Sequence, residues 1–190
     1  MSITPSLTLS LEAELSGNFF LNASRSFDNS WVILSSDKQF RHRSPDHGVP
    51  VPPFHFQVHE FNGWTWDLPL KVGPTERRYS FAQPLPDRKW LLVEGRASPD
   101  RSPNADVFDE KGQIVSSLFL GDGIESVQVA ASGDIWVGYF DEGVYGGGQL
   151  ERSGLVCFDP QGNPKLRFFP DIVDSFAMPP IRLVCFECMP

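Results

Sequence analysis

Hydrophobic and polar residues alternate along most of this chain in short stretches, with turn-forming residues between them. Near the N-terminus, for example, Leu7, Leu9 and Leu11 alternate with polar or small residues. No stretch has the long 3.6-residue periodicity of a capped amphipathic helix. Sixteen Gly and seventeen Pro residues punctuate the chain throughout, which suits many short elements joined by turns. The pattern predicts an all-β protein.

A strand–turn–strand signature occurs three times, in segments 56–70, 104–120 and 154–169. Each segment begins with a short apolar strand that leads to a phenylalanine. A polar turn ending in Gly follows, and a second strand comes after it. The aligned phenylalanines are Phe61, Phe108 and Phe158. Recurrence at a period of roughly 40–50 residues is typical of repeat architectures.

A second signature precedes each of these segments and consists of a polar turn followed by a strand that begins with tryptophan. The aligned tryptophans are Trp31, Trp90 and Trp136. One further apolar stretch lies before the second and third of them, at 78–85 and 124–131. Each period therefore holds four strands, which we call A to D. We interpret the repeated Trp and Phe residues as packing between sheets, because large aromatic side chains usually fill cores.

Four-stranded units at this period predict consecutive blades of a β-propeller. The prediction is one incomplete propeller over residues 1–190, with three antiparallel blades at about 19–70, 78–120 and 124–169. Residues 171–190 are interpreted as a partial strand and an atypical tail. Closed propellers need about four to eight blades. Three alternatives follow: the terminal segments complete the closure, chains self-associate through an unpaired blade face, or the chain is truncated. We favour truncation, with a tail after about residue 180 that replaces the native sequence.

The connections between strands predict where a functional site lies. The A–B and C–D connections are tight, whereas the B–C connections at 37–53, 97–104 and 141–153 are long. In an antiparallel meander the long B–C loops share one end with the D–A links, and binding residues concentrate on such loops. The candidate residues at this end are Glu94, Arg96, Arg101, Asp122, Glu125, Asp141, Glu142 and Tyr145.

Asp122 and Glu125 lie in the link before the third blade and are the candidate metal ligands. Carboxylates that converge at a propeller mouth suit calcium, which prefers oxygen ligands. The alternative is a solvated acidic rim.

The remaining motifs give weaker indications: His55 and His59 share a strand face without a complete ligand set, and Cys185 and Cys188 form a lone pair near the end of the chain. No nucleophile elbow or phosphate-binding loop is present.

The net charge of −8 and the dispersed basic residues argue against nucleic acid and against an anionic membrane surface as partners. A small molecule or another protein remains open as the partner. The first residues lack the features of a signal peptide, and three cysteines give no disulfide framework. We therefore expect a cytoplasmic location.

The stretch GDGIESVQVAASGDIWVGYFDEGVYG, followed by GLVCFDPQGNPKLRF, resembles the blade repeat of bacterial propeller proteins. It is similar to the six-bladed group that includes lactonase-like, strictosidine-synthase-like and NHL-type proteins. This resemblance implies a propeller fold, and the lactonase-like members imply calcium held by acidic and amide side chains at the channel mouth. Asp122 and Glu125 are the residues here in an equivalent place, and no matching Asn can be assigned.

The leading functional expectation is a non-enzymatic propeller that serves as a scaffold or as a ligand- or protein-binding module, because strong repeats occur without a catalytic set. The alternative is a calcium-dependent hydrolase of the lactonase or esterase kind. In that case Glu125 and Asp122 hold the metal and a metal-bound water is the nucleophile.

Overall fold

The structure is a computed structural model that describes residues 15, 17–39, 52–146 and 148–172. In these residues short strands dominate, as the alternating pattern predicts. The strands are β1 (Phe19–Arg25), β2 (Trp31–Ser36), β3 (Phe54–Phe61), β4 (Leu70–Thr75), β5 (Tyr79–Leu85), β6 (Lys89–Glu94), β7 (Ala105–Phe108), β8 (Ile114–Leu118), β9 (Ile124–Val129), β10 (Ile135–Tyr139), β11 (Leu155–Phe158) and β12 (Pro164–Arg167). The helical segments are α1 (Asp141–Gly146), a 3₁₀ turn (Glu151–Ser153) and an irregular turn (Phe168–Ile172).

The described strands form three four-stranded antiparallel sheets. Strands β1–β4 make the first sheet, β5–β8 the second and β9–β12 the third, each in sequential order. This confirms the all-β prediction of three four-stranded antiparallel units, and the arrangement is consistent with a fragment of a β-propeller. Within the described segments, no helix is long and apolar enough to cross a membrane.

The first strands of the three sheets lie next to one another. β1 contacts β5, and β5 contacts β9. The buried Gln83 on β5 donates from Nε2 to Ser24 Oγ (2.8 Å) and to the Arg25 carbonyl (3.2 Å). Gln128 on β9 donates to the same carbonyl at 3.0 Å. Polar side chains thus join the first strands at the end where the A–B turns lie.

The three inner strands of the second sheet, β5 to β7, are largely buried on both faces because each face packs against a different neighbouring sheet. Successive side chains of a strand point to opposite faces. Accordingly, Leu91 and Val93 belong to the apolar cluster shared with the third sheet, whereas Leu92 belongs to the cluster shared with the first. Burial of this kind stabilises a fold by about 25 cal/mol per Å² of apolar surface removed from water. Sheets that are marginal alone therefore stabilise one another.

The C–D turns of the second and third sheets have the same hydrogen bonds. Asp109 Oδ1 accepts from the backbone N–H groups of Lys111 and Gln113, both at 2.9 Å. Asp159 makes the equivalent pair of bonds to the N–H groups two and four residues later. These Asp-x-x-Gly turns explain the repeated signature, since Asp satisfies the turn backbone and Gly adopts the positive φ.

The tryptophan alignment is wrong at its third member. Trp31 pairs with Phe61 and Trp90 with Phe108, but the residue opposite Phe158 is Ile135. Trp136 is displaced by one position and therefore points to the other face of its sheet. Ile135 fills the buried place that the repeat assigned to Trp136. The phenylalanines, in contrast, occupy matching registers in the three sheets.

The fourth strand of the first sheet lies later than its sequence suggests. Segment 64–70 was expected to be that strand, but β4 begins at Leu70. Asn62 Oδ1 accepts from the N–H groups of Trp64 and Thr65, which turns the chain. Trp66 then folds back to bridge Phe61, with ring centroids 4.9 Å apart. The segment is a loop in which Trp64 and Leu68 are exposed.

Several predictions fall outside the described residues. The tail after residue 172, with Cys185 and Cys188, lies there, as do most of loop 37–53 and the stretch with Leu7, Leu9 and Leu11. The partial fourth unit and the non-native tail therefore stay predictions.

Candidate functional site

The long loops of the second and third sheets meet at one end, and Arg96 is at the centre of this meeting. Its Nε lies 3.2 Å from Asp122 Oδ1, and its Nη1 lies 2.7 Å from Glu142 Oε2. The guanidinium also lies 5.5 Å from the ring centroid of Phe140. The B–C loop of the second sheet, the link to β9 and the first turn of α1 are thereby connected by one side chain.

Asp122 is held by the backbone as well as by Arg96. Its Oδ1 accepts from Ala97 N at 2.8 Å, and its own N–H donates to Glu151 Oε1 at 3.0 Å. The flanking Gly121 and Gly123 have φ values of 92° and 70°, a conformation that Gly adopts without steric cost. A side chain at Gly123 would also meet the backbone of α1. The sequence Gly-Asp-Gly thus fixes the position of the carboxylate.

Glu151 is a buried carboxylate that the sequence analysis missed. Its side chain is 0% exposed, and Oε1 accepts from Arg101 Nη2 at 2.9 Å. The Arg101 guanidinium also lies 4.6 Å from the ring of Phe119. Within the described residues, Glu151 Oε2 has no hydrogen-bond partner. A loop glutamate is usually exposed, so only the length of loop 141–153 pointed towards this region.

Glu94 belongs to a separate polar cluster formed by the second sheet and the link that precedes it. It accepts from Arg77 Nη1 (2.9 Å) and from the Arg78 backbone N–H (2.8 Å). Arg77 also pairs with the buried Asp106, whose Oδ2 accepts from the Tyr79 hydroxyl at 2.5 Å. Burial, together with the hydrogen bond to Asp106, raises the pKa of Tyr79 well above its ordinary value. These contacts are structural, since each buried group has a partner.

A shallow cleft of about 500 Å³ lies beside the Arg96 cluster, between the second and third sheets. Its lining residues are Ser80, Phe81, Gly95, Arg96, Ile124, Glu125, Phe140 and Asp141. Glu125 and Asp141 are exposed, and Asp141 Oδ1 accepts from the Glu142 N–H at 2.8 Å. Tyr145, at 75% exposure, extends from α1 into solvent.

The structure therefore brings Arg96, Asp122 and Glu142 into direct contact, and it places Arg101 one link away through Glu151. Glu125 and Asp141 line the neighbouring cleft, whereas Glu94 lies in the other cluster. Among the described residues, no group of three or more His, Cys, Asp and Glu side chains could hold a metal ion. The calcium site at Asp122 and Glu125 stays a prediction.

No model of a known protein family matches the sequence, and a search of curated proteins finds no significant similarity.

Proposed function

We propose that this chain is a binding module of the propeller type, and that it binds its ligand at the loop end, in the cleft between the second and third sheets. The observation that carries the proposal is the position of this cleft. It opens where the long loops converge, and its walls combine apolar rings with polar groups, as ligand sites usually do.

The ion-pair cluster beside the cleft supports this proposal. Arg96 lines the cleft and is held from two sides by Asp122 and Glu142. Side chains fixed in this way are preorganised, so a ligand does not have to order them on binding. The repeated sheets supply the rigid support on which such loops are positioned.

The resemblance to six-bladed propeller proteins supports a propeller scaffold and leaves the calcium-dependent hydrolase as the alternative. For that reaction Asp122 would have to coordinate the metal. Its Oδ1 is already engaged by Arg96 and Ala97, and a cation bound to this oxygen would compete with both. A binding module therefore agrees better with the contacts of Asp122.

Titration of the ¹⁵N-labelled chain with four probes tests the proposal: benzyl alcohol, benzylamine, benzoate and calcium chloride. We expect at least one organic probe to shift the amide resonances of Gly95 and Ile124 in a saturable way. Gly133 and Gly162, in turns at the opposite end, are the controls. If no probe moves the cleft resonances, or if the control resonances move equally, the proposal is wrong. Saturable binding of calcium alone would favour the hydrolase.

A further inference from the structure

Acidic residues outnumber basic ones along the walls of the cleft. Among the residues that the structure describes, Arg96 is the one basic residue lining the cleft, and it already has two carboxylate partners, Asp122 and Glu142. Glu125 and Asp141 also line the cleft, and among the described residues neither has a basic side chain within ion-pair distance. The cleft thus retains two exposed carboxylates that the protein itself does not neutralise.

The apolar part of the cleft has two aromatic rings, Phe81 and Phe140, together with Ile124. The face of an aromatic ring attracts cations, with Arg and Lys groups found within about 6 Å of the ring centroid. Phe140 already makes such a contact with the guanidinium of Arg96, at 5.5 Å. Carboxylates next to aromatic rings can together recognise an organic cation, because the carboxylate contacts the charged group and the ring contacts the carbon stem.

We infer that the cleft between the second and third sheets binds an organic cation, an ammonium or guanidinium group on an apolar stem, with Glu125 as its main charged contact. This inference rests on the proposed binding function and specifies its ligand class. The net charge of −8 favours the same class of ligand, since the field of an acidic protein concentrates cations near its surface.

Two sources could supply this chemistry: a free amine or the lysine side chain of a partner protein. Benzylamine represents the first source, and an acetylated, amidated Gly-Lys-Gly peptide represents the second. Tighter binding of benzylamine assigns the site to a small molecule, and tighter binding of the peptide assigns it to a protein segment. Saturable binding of either probe supports the inference.

The decisive comparison uses Glu125→Gln, which removes the charge at an exposed position with little change in shape. Glu110→Gln is the matched control, because Glu110 is exposed in a C–D turn at the other end of the sheets. At low salt we expect Glu125→Gln to weaken benzylamine binding by a factor of about 1.5 to 5, the range for the loss of one exposed ionic contact. Glu110→Gln should leave the affinity unchanged, and both variants should unfold at the wild-type temperature.

Raising the salt concentration should weaken binding to the wild type more than binding to Glu125→Gln, because exposed charges are screened. The inference is wrong if benzyl alcohol or benzoate binds as tightly as benzylamine, or if the two variants have equal effects. Those outcomes would be compatible with the proposed binding module but would assign it another class of ligand. Absence of binding by every probe would instead overturn the binding module itself.

Discussion

The ring of Tyr79 belongs to the apolar cluster that the first two sheets share, and its hydroxyl contacts a buried carboxylate, so removal of that hydroxyl tests how much the polar cluster stabilises the fold. Its ring packs edge-on against Phe56 and Phe108, with centroid distances of 5.2 and 5.9 Å. Its hydroxyl donates to Asp106 Oδ2 at 2.5 Å. Tyr79→Phe keeps the ring contacts and removes only the donor. Asp106, which is 1% exposed, then keeps Ser117 and Arg77 as its partners.

Hydrogen bonds to charged groups contribute about 1.5–3 kcal/mol, and neutral ones about 0.5–1.5 kcal/mol. Tyr139→Phe is the matched control, because the hydroxyl of Tyr139 donates to the neutral carbonyl of Leu120 at 2.6 Å. We expect Tyr79→Phe to lower the free energy of unfolding by about 2 kcal/mol and Tyr139→Phe by about 1 kcal/mol. For a chain of this size, a loss of about 2 kcal/mol lowers the melting temperature by roughly 4–8 °C.

The assay is urea unfolding followed by tryptophan fluorescence and by circular dichroism, with equal slopes required for the variants being compared. A loss for Tyr79→Phe equal to or smaller than that for Tyr139→Phe would refute the reasoning. It would mean that the hydrogen bond from Tyr79 to the buried carboxylate of Asp106 contributes no more than a hydrogen bond to a neutral carbonyl.

Three further predictions concern stability. Burial raises the pKa of Glu60 above its ordinary value, so the fold favours the protonated carboxyl and loses stability as the pH rises through the folded-state pKa. Glu60→Gln keeps the side chain neutral and should therefore raise the urea midpoint at pH 7 but not at pH 4. Gly112→Ala should lower the free energy of unfolding by about 1–3 kcal/mol more than Gly63→Ala in urea unfolding, because both glycines have positive φ but only at Gly112 would the added carbon meet a backbone oxygen, that of Lys71. Ile135→Ala should lower the free energy of unfolding, measured by thermal melting, by about 2–5 kcal/mol, and Trp136→Ala should lower it by less, since Ile135 is the fully buried member of the pair.

The sequence predicted the elements in the second and third units because their turns are chemically specified. Asp109 and Asp159 bind the turn backbone in the same way, so the turn signature carries the register of the flanking strands. The strands β9 to β12 begin and end close to the expected positions for this reason. Where the turn chemistry is different, as at Asn62, the apolar segment that follows was mistaken for a strand.

Side-chain identity was a weaker guide than turn register. A tryptophan near the start of a second strand can lie on either face, and Trp136 lies one position beyond Trp90 in the register. Residue type alone does not indicate this offset. The buried position of Glu151 was equally hidden, because it depends on Arg101, fifty residues earlier in the chain. Burial that depends on a distant partner leaves no local pattern in the sequence.

The two-sided packing of the second sheet determines which part of the molecule a destabilising substitution affects. Leu91 and Leu92 are adjacent in the chain, yet each belongs to a different intersheet contact. A cavity made at Leu91 weakens the attachment of the third sheet, and one made at Leu92 weakens that of the first. In linear arrays of repeats, stability is approximately a sum of nearest-neighbour terms. Substitutions at these two adjacent positions can therefore produce different partially unfolded forms, one with the third sheet detached and the other with the first sheet detached.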